Sequence, residues 1–91
     1  MMIKVEGTAV DYAQAMRWAR RAADQGNAIA MTTVGALYGM GQGVPADRAE
    51  GVRWLERAAA AGSDVAKANL RTNAAAGFAP AAAALRRLGL G

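Results

Sequence analysis

The sequence predicts an all-α fold: a short solenoid of antiparallel helix pairs, with about five helices. Three observations carry this. The stretch from Asp11 to Val34 recurs 36 positions later as Asp47 to Leu70, with nine of 24 aligned residues identical. A repeat of that length marks stacked helical units. The identities also fall where a helix pair needs them: Asp11/Asp47 at helix starts, Gly26/Gly62 at helix stops, and Arg17/Arg53, Trp18/Trp54, Arg21/Arg57 and small Ala residues between. Finally, alanine supplies 25 of the 91 residues. Each buries little area, so a core built from so few large side chains requires close helix–helix approach.

The first helix is expected over Asp11 to Gln25. Asp11 can cap its start and Gln14 stands at the capping-box position. Met16, Trp18, Ala19, Ala22 and Ala23 form the apolar stripe, and Gly26 ends the helix. Arg17, Arg20, Arg21 and Asp24 face solvent, with Arg20 and Asp24 spaced for an i,i+4 pair. Asn27 caps a second helix, Ala28 to Tyr38, whose buried face is Ala30, Val34, Leu37 and Tyr38. Gly35 inside it costs about 1 kcal/mol relative to alanine, and close approach of a neighbouring helix is the expected return. The run 39–46, with three glycines and a proline, reads as a loop.

The third helix starts at Asp47, with Glu50 at the capping-box position, and runs to about Ala61. Val52, Trp54, Leu55, Ala58 and Ala59 point inward, and both Trp18 and Trp54 are expected in the core. Gly62 stops this helix and Ser63 caps a fourth, about Asp64 to Ala76. There the repeat breaks, with Arg71, Asn73 and Ala74 in place of Gly35, Leu37 and Tyr38. A last helix, about Ala79 to Leu88, carries Leu85 and Leu88 inward, and Arg86 and Arg87 suit the negative end of its dipole. Residues 63–91 therefore read as a degenerate terminal cap, with a partial repeat at about 7–26 and one full repeat at about 27–62.

The segment 30–47, Ala-Met-Thr-Thr-Val-Gly-Ala-Leu-Tyr-Gly-Met-Gly-Gln-Gly-Val-Pro-Ala-Asp, continuing to Ala49, Trp54, Ala58-Ala59 and Gly62, resembles the Sel-one-like repeat of the tetratricopeptide superfamily. That family's pattern is A-xxx-LG-xx-Y-xx-G-x-GV-xx-D-xxx-A-xx-W-xxx-AA-xx-G. Val34 replaces its leucine and Gly51 its alanine. Residues 7–15 look like the loop and second helix of a preceding repeat, two loop residues short and with Ala9 for a glycine. The resemblance covers about residues 7–70. It implies a right-handed solenoid and a non-enzymatic adaptor for another protein, a role such repeats often fill in bacterial signalling, secretion or envelope complexes.

By analogy with tetratricopeptide solenoids, the first helix of each pair lines the concave side. This nominates Met31, Thr32, Thr33, Ala36, Lys67, Asn69 and Asn73 as partner-facing positions, with a peptide or helix as occupant. One complete repeat with a half on each side suggests a minimal array, part of a longer one, or a homo-oligomer joined through an uncapped first-helix face.

The alternative is a binder of nucleic acid or an acidic surface. The net charge is +4 and nine of eleven cations are arginine. Arg17, Arg20, Arg21, Arg48, Arg53 and Arg57 lie on the two equivalent helices, and repetition would align some of them, above all Arg17, Arg21, Arg53 and Arg57, into a basic ridge. Interleaved acids make solvated helix faces the plainer reading, and aromatic residues free to stack on bases are lacking.

Chemistry is otherwise sparse, and no cofactor is expected. The absence of Cys and His removes disulfides, thiol chemistry, Cys/His zinc sites and imidazole catalysis. Gly39, Gly41 and Gly43 lack the strand and the GK[ST] or GxGxxG spacing of a phosphate loop. Ser63 has no conventional base and stands where a helix cap belongs. Asp47 and Glu50 are accounted for by capping rather than by a metal. No apolar run approaches the roughly 20 residues of a membrane span. Met1 to Glu6 does not read as a secretory signal, which leaves the cytoplasm as the default expectation.

Overall fold

The computed structural model describes residues 11–90. The expected loop at residues 7–10, and the reading of residues 1–6, lie outside them. Five helices follow in order: α1 Tyr12–Asp24, α2 Ala28–Met40, α3 Arg48–Ala60, α4 Asp64–Ala75 and α5 Ala79–Arg87. No strand occurs among the described residues. Consecutive helices pack on each other, and α5 folds back onto α3 as well as α4.

Local chemistry sets the boundaries. Asp11, Asn27, Asp47 and Ser63 each accept a hydrogen bond from the backbone N–H three residues on, at 3.0–3.1 Å. These caps satisfy donors that the first turn leaves open. Only half of the expected capping box forms at α3. The Asp47 N–H donates instead to the Tyr38 carbonyl at 2.8 Å. Glu50 is thereby free to pair with Arg53. α5 has no side-chain cap and begins with proline in its first turn, where the missing N–H costs nothing.

Every helix closes the same way. The N–H just past a left-handed glycine reaches back five residues to a carbonyl, as Gln42 does to Leu37 and Ser63 to Ala58. In α2 this closure comes at Gly41, so Gly39 and Met40 are helical, not loop as expected. The extra turn carries Gly39 alongside α3. The following loop then lies against the start of α1. A Cβ on Gly43 would run into the Tyr12 backbone.

The tightest junction is the crossing of α2 and α3, the most extensive helix pair. A Cβ on Gly35 would stand 2.9 Å from the Gly51 carbonyl oxygen and 2.9 Å from Leu55 Cγ. One on Gly51 would stand 2.7 Å from the Gly35 carbonyl oxygen. The two glycines thus face each other, and each backbone occupies the space a side chain would need. Around them lie Val34, Leu37, Val52, Trp54, Leu55, Ala58 and Leu70, all buried.

Trp54 is core, as expected, at 6% exposure, but Trp18 is 70% exposed. Trp54 is flanked by the preceding α1, with the Arg20 guanidinium 5.8 Å from its ring, and by Arg57 of its own helix at 4.4 Å. No described helix holds the corresponding place beside Trp18. The expected Arg20–Asp24 pair does not form either. Arg20 turns toward Trp54, and its Nη1 donates to the Tyr38 hydroxyl at 3.4 Å.

The C-terminal helix is pinned by an ion pair. Arg87 donates to both Glu56 carboxylate oxygens, at 2.8 and 2.6 Å. These hydrogen bonds hold the Glu56 carboxyl below its ordinary pKa, against a partial opposing effect of burial. Ala81, Ala84 and Leu85 are buried, while Leu88 is half-buried.

Two predictions follow from this packing. Gly35→Ala should destabilise the chain by about 1–3 kcal/mol, while Gly39→Ala, whose Cβ meets nothing within 4 Å, should be neutral or stabilise by about 0.5–1 kcal/mol; equal effects in denaturant titrations would refute the crossing. Trp54→Ala should cost about 3–5 kcal/mol and Trp18→Ala less than about 0.5 kcal/mol, a difference that thermal melts of the two variants will display.

Candidate functional site

A concave groove of about 330 Å³ opens where α2, α3 and α4 meet. Its floor is the glycine crossing itself, Gly35, Gly39 and Gly51, flanked by Val52 and Leu55. Ala36 and Met40 of α2 form one wall, with Met40 62% exposed. Asn69 and Asn73 of α4 form the other, and Arg48 stands at the start of α3. Gly39, one helical turn beyond Gly35, leaves the hollow open, since a Cβ there would meet nothing within 4 Å.

Ser63 and Thr32 help set the angle between α2 and α4. The Thr32 hydroxyl donates to the Ala28 carbonyl at 2.9 Å and lies 2.8 Å from the Ser63 hydroxyl. Ser63 in turn accepts from the Ala66 N–H. Ser63 therefore has a structural bond on each side, in keeping with its expected capping role.

The polar wall is itself ordered. Asn73 Nδ2 donates to the Asn69 carbonyl at 2.8 Å, and Asn73 Oδ1 accepts from Arg48 Nη2 at 2.8 Å. The Arg48 guanidinium lies over the Phe78 ring at 4.2 Å. Arg48 thus bridges the start of α3 to the end of α4 and the turn beyond it.

Of the residues nominated from sequence, Asn69 and Asn73 line the groove and Ala36 joins them. Thr33 is exposed on α2 outside the groove lining, its hydroxyl bonded to the Ile29 carbonyl at 3.1 Å. Met31 is 7% exposed and belongs to the core, and Thr32 is buried as well. The Thr32 hydroxyl turns inward to meet Ser63, the residue that caps α4. Lys67 is half-buried and lies 3.6 Å from Asp64.

Sequence reasoning placed Arg48 among the ridge arginines rather than in a groove, and it missed Met40 and the floor residues Gly51, Val52 and Leu55. A signal for part of this existed. Arg48, Asn73 and Phe78 replace Tyr12, Leu37 and Gln42 at equivalent repeat positions, and these three departures converge on one cluster.

The arginines of the expected ridge have separate surroundings. Arg53 pairs with Glu50 and Arg57 stacks on Trp54. Arg17 and Arg21 are exposed, and Arg21 borders a shallow hollow of about 250 Å³ with Trp18, Ala22 and Gln25. Among the described residues, no cluster of three or more acidic side chains could hold a metal, and no helix is long and apolar enough to cross a membrane.

Comparison with known families agrees with this architecture. The family described as Sel1 repeat matches residues 5–27 and 28–63. No curated protein and no solved structure matches the chain.

Proposed function

The chain belongs to the Sel1 repeat family, whose members generally mediate protein–protein interaction, and from that premise we propose that this one is an adaptor that holds a partner peptide or helix in the α2–α3–α4 groove. The observation that carries the reading is the floor of that groove. Exposed Gly39 and Met40, with half-buried Ala36, border a concavity whose base is buried glycine backbone, Val52 and Leu55, and such a surface favours burial by an apolar segment of another chain. Amide groups on Asn69 and Asn73 supply polar contacts at one wall, which fix orientation rather than add much affinity. The reading includes no catalytic step.

Nucleic acid or an acidic surface is the alternative occupant, through Arg17 and Arg21 with the exposed Trp18 as a stacking platform. The pairing of Arg53 with Glu50 and the use of Arg57 on Trp54 count against a continuous ridge. Such binding would show a steep dependence on salt.

A library of random 12-residue peptides displayed on phage, selected on the purified chain, provides the test. Amide chemical shifts on titration with an enriched peptide are expected to move at Ala36, Met40, Asn69 and Asn73. Failure to enrich any peptide, or shifts centred on Arg17 and Arg21, would overturn the groove reading.

A further inference from the structure

We infer that the groove selects a peptide segment carrying an aspartate or glutamate side chain, and that Arg48 receives its carboxylate. The inference rests on the groove reading and adds the chemistry of the occupant.

Arg48 is held in place before any ligand arrives. Phe78 supports one face of the guanidinium at 4.2 Å, and Asn73 fixes Nη2 at 2.8 Å. Nε and Nη1 have no acceptor among the described residues. The ion pairs that these residues form are those of Arg53, Lys67 and Arg87, so Arg48 has no carboxylate partner among them. A fixed guanidinium with open N–H groups is suited to a planar carboxylate. Because its rotamer freedom is already restricted, binding loses less entropy.

Helix stability gives no reason for this arginine. It is the first residue of α3, where the positive end of the helix dipole disfavours a cation. The repeat gives no reason either. Tyr12 holds the equivalent position, and the residues that position Arg48, Asn73 and Phe78, are departures from Leu37 and Gln42. These three departures from the repeat meet at one oriented cation at the edge of the hollow.

That hollow sets the rest of the preference. Its floor offers glycine backbone, Val52 and Leu55, so small or aliphatic residues should flank the acid. The Phe78 ring beneath the guanidinium and the Ala36–Met40 wall across the groove limit water around a seated carboxylate–guanidinium pair and strengthen it relative to a fully solvated one. With one charged donor and an aliphatic floor, the groove suits a single side-chain carboxylate within a chain. A terminal carboxylate would need further donors for its final backbone amide.

The same phage library tests this when its peptides are joined to the coat protein at their C-terminal ends, leaving no terminal carboxylate free. Selection on the wild-type chain should enrich an Asp or Glu beside aliphatic residues, and selection on Arg48→Glu should replace that acid with Lys or Arg. For the best acidic peptide, Arg48→Gln should weaken binding about tenfold or more. Changing the peptide's acid to its amide should weaken binding as much, and combining both changes should lose little more. Arg48→Gln loses surface contacts to Asn73 and Phe78, so it should melt slightly below wild type yet stay folded at the binding temperature, and its melt separates lost binding from lost folding. Peptides that bind the groove with no acidic position, or additive losses in the cycle, would overturn this inference and leave the groove reading intact. Absence of groove-directed peptides would overturn both.

Discussion

The rest of this structure depends on the contact between Gly35 and Gly51. Helices α2 and α3 approach until each glycine's backbone fills the space of the other's missing side chain. A chain with so much alanine has few large residues with which to fill a wider gap. Close approach lets Val34, Leu37, Val52 and Leu55 reach one another across a thin interface and exclude water. Beside the crossing, Gly39 leaves a shallow hollow open, since a Cβ there would meet nothing within 4 Å.

A repeat unit does not fix the fate of its residues alone. Trp18 and Trp54 are equivalent in sequence and opposite in exposure. The difference lies in the neighbour: α1 stands beside Trp54, while no described helix stands beside Trp18. Stability in such stacks is a sum of units and interfaces, so it should be uneven along the chain. Farther along, α5 packs on α3 as well as α4, with Arg87 gripping Glu56.

This contrast also marks what could be read from the sequence. Caps were legible because Asp11, Asn27, Asp47 and Ser63 act on amides three residues away, and so were the stops at Gly26 and Gly62, but not that of α2, where Gly39, Gly41 and Gly43 all offered an end and Gly41 supplies it. The inward faces of α2 and α3 were legible from helical spacing. The role of Gly35 was too, because a helix-interior glycine is costly unless another helix needs the space. Trp18 was misread because its burial is a property of a neighbouring unit. Arg20 and Asp24 have ideal local spacing, but Tyr38 and Trp54 offer Arg20 tertiary contacts. Met31 sits on a helix assigned to the concave side, yet its own face of that helix turns inward. In the groove, Asn69 and Asn73 followed from the solenoid analogy. Arg48 did not, since its meaning appears only when Asn73 and Phe78, 25 and 30 positions on, are brought beside it.

The claim beneath the fold and the groove alike is that the α2–α3 crossing is the structural keystone. Native-state hydrogen exchange measures this directly, because the slowest amides report the part that opens only with global unfolding. The greatest protection should fall on Val34 to Leu37 and Val52 to Leu55, with α1 and α5 exchanging through lower-energy openings. Maximal protection centred on α4 and α5, with the crossing exchanging faster, would contradict the account.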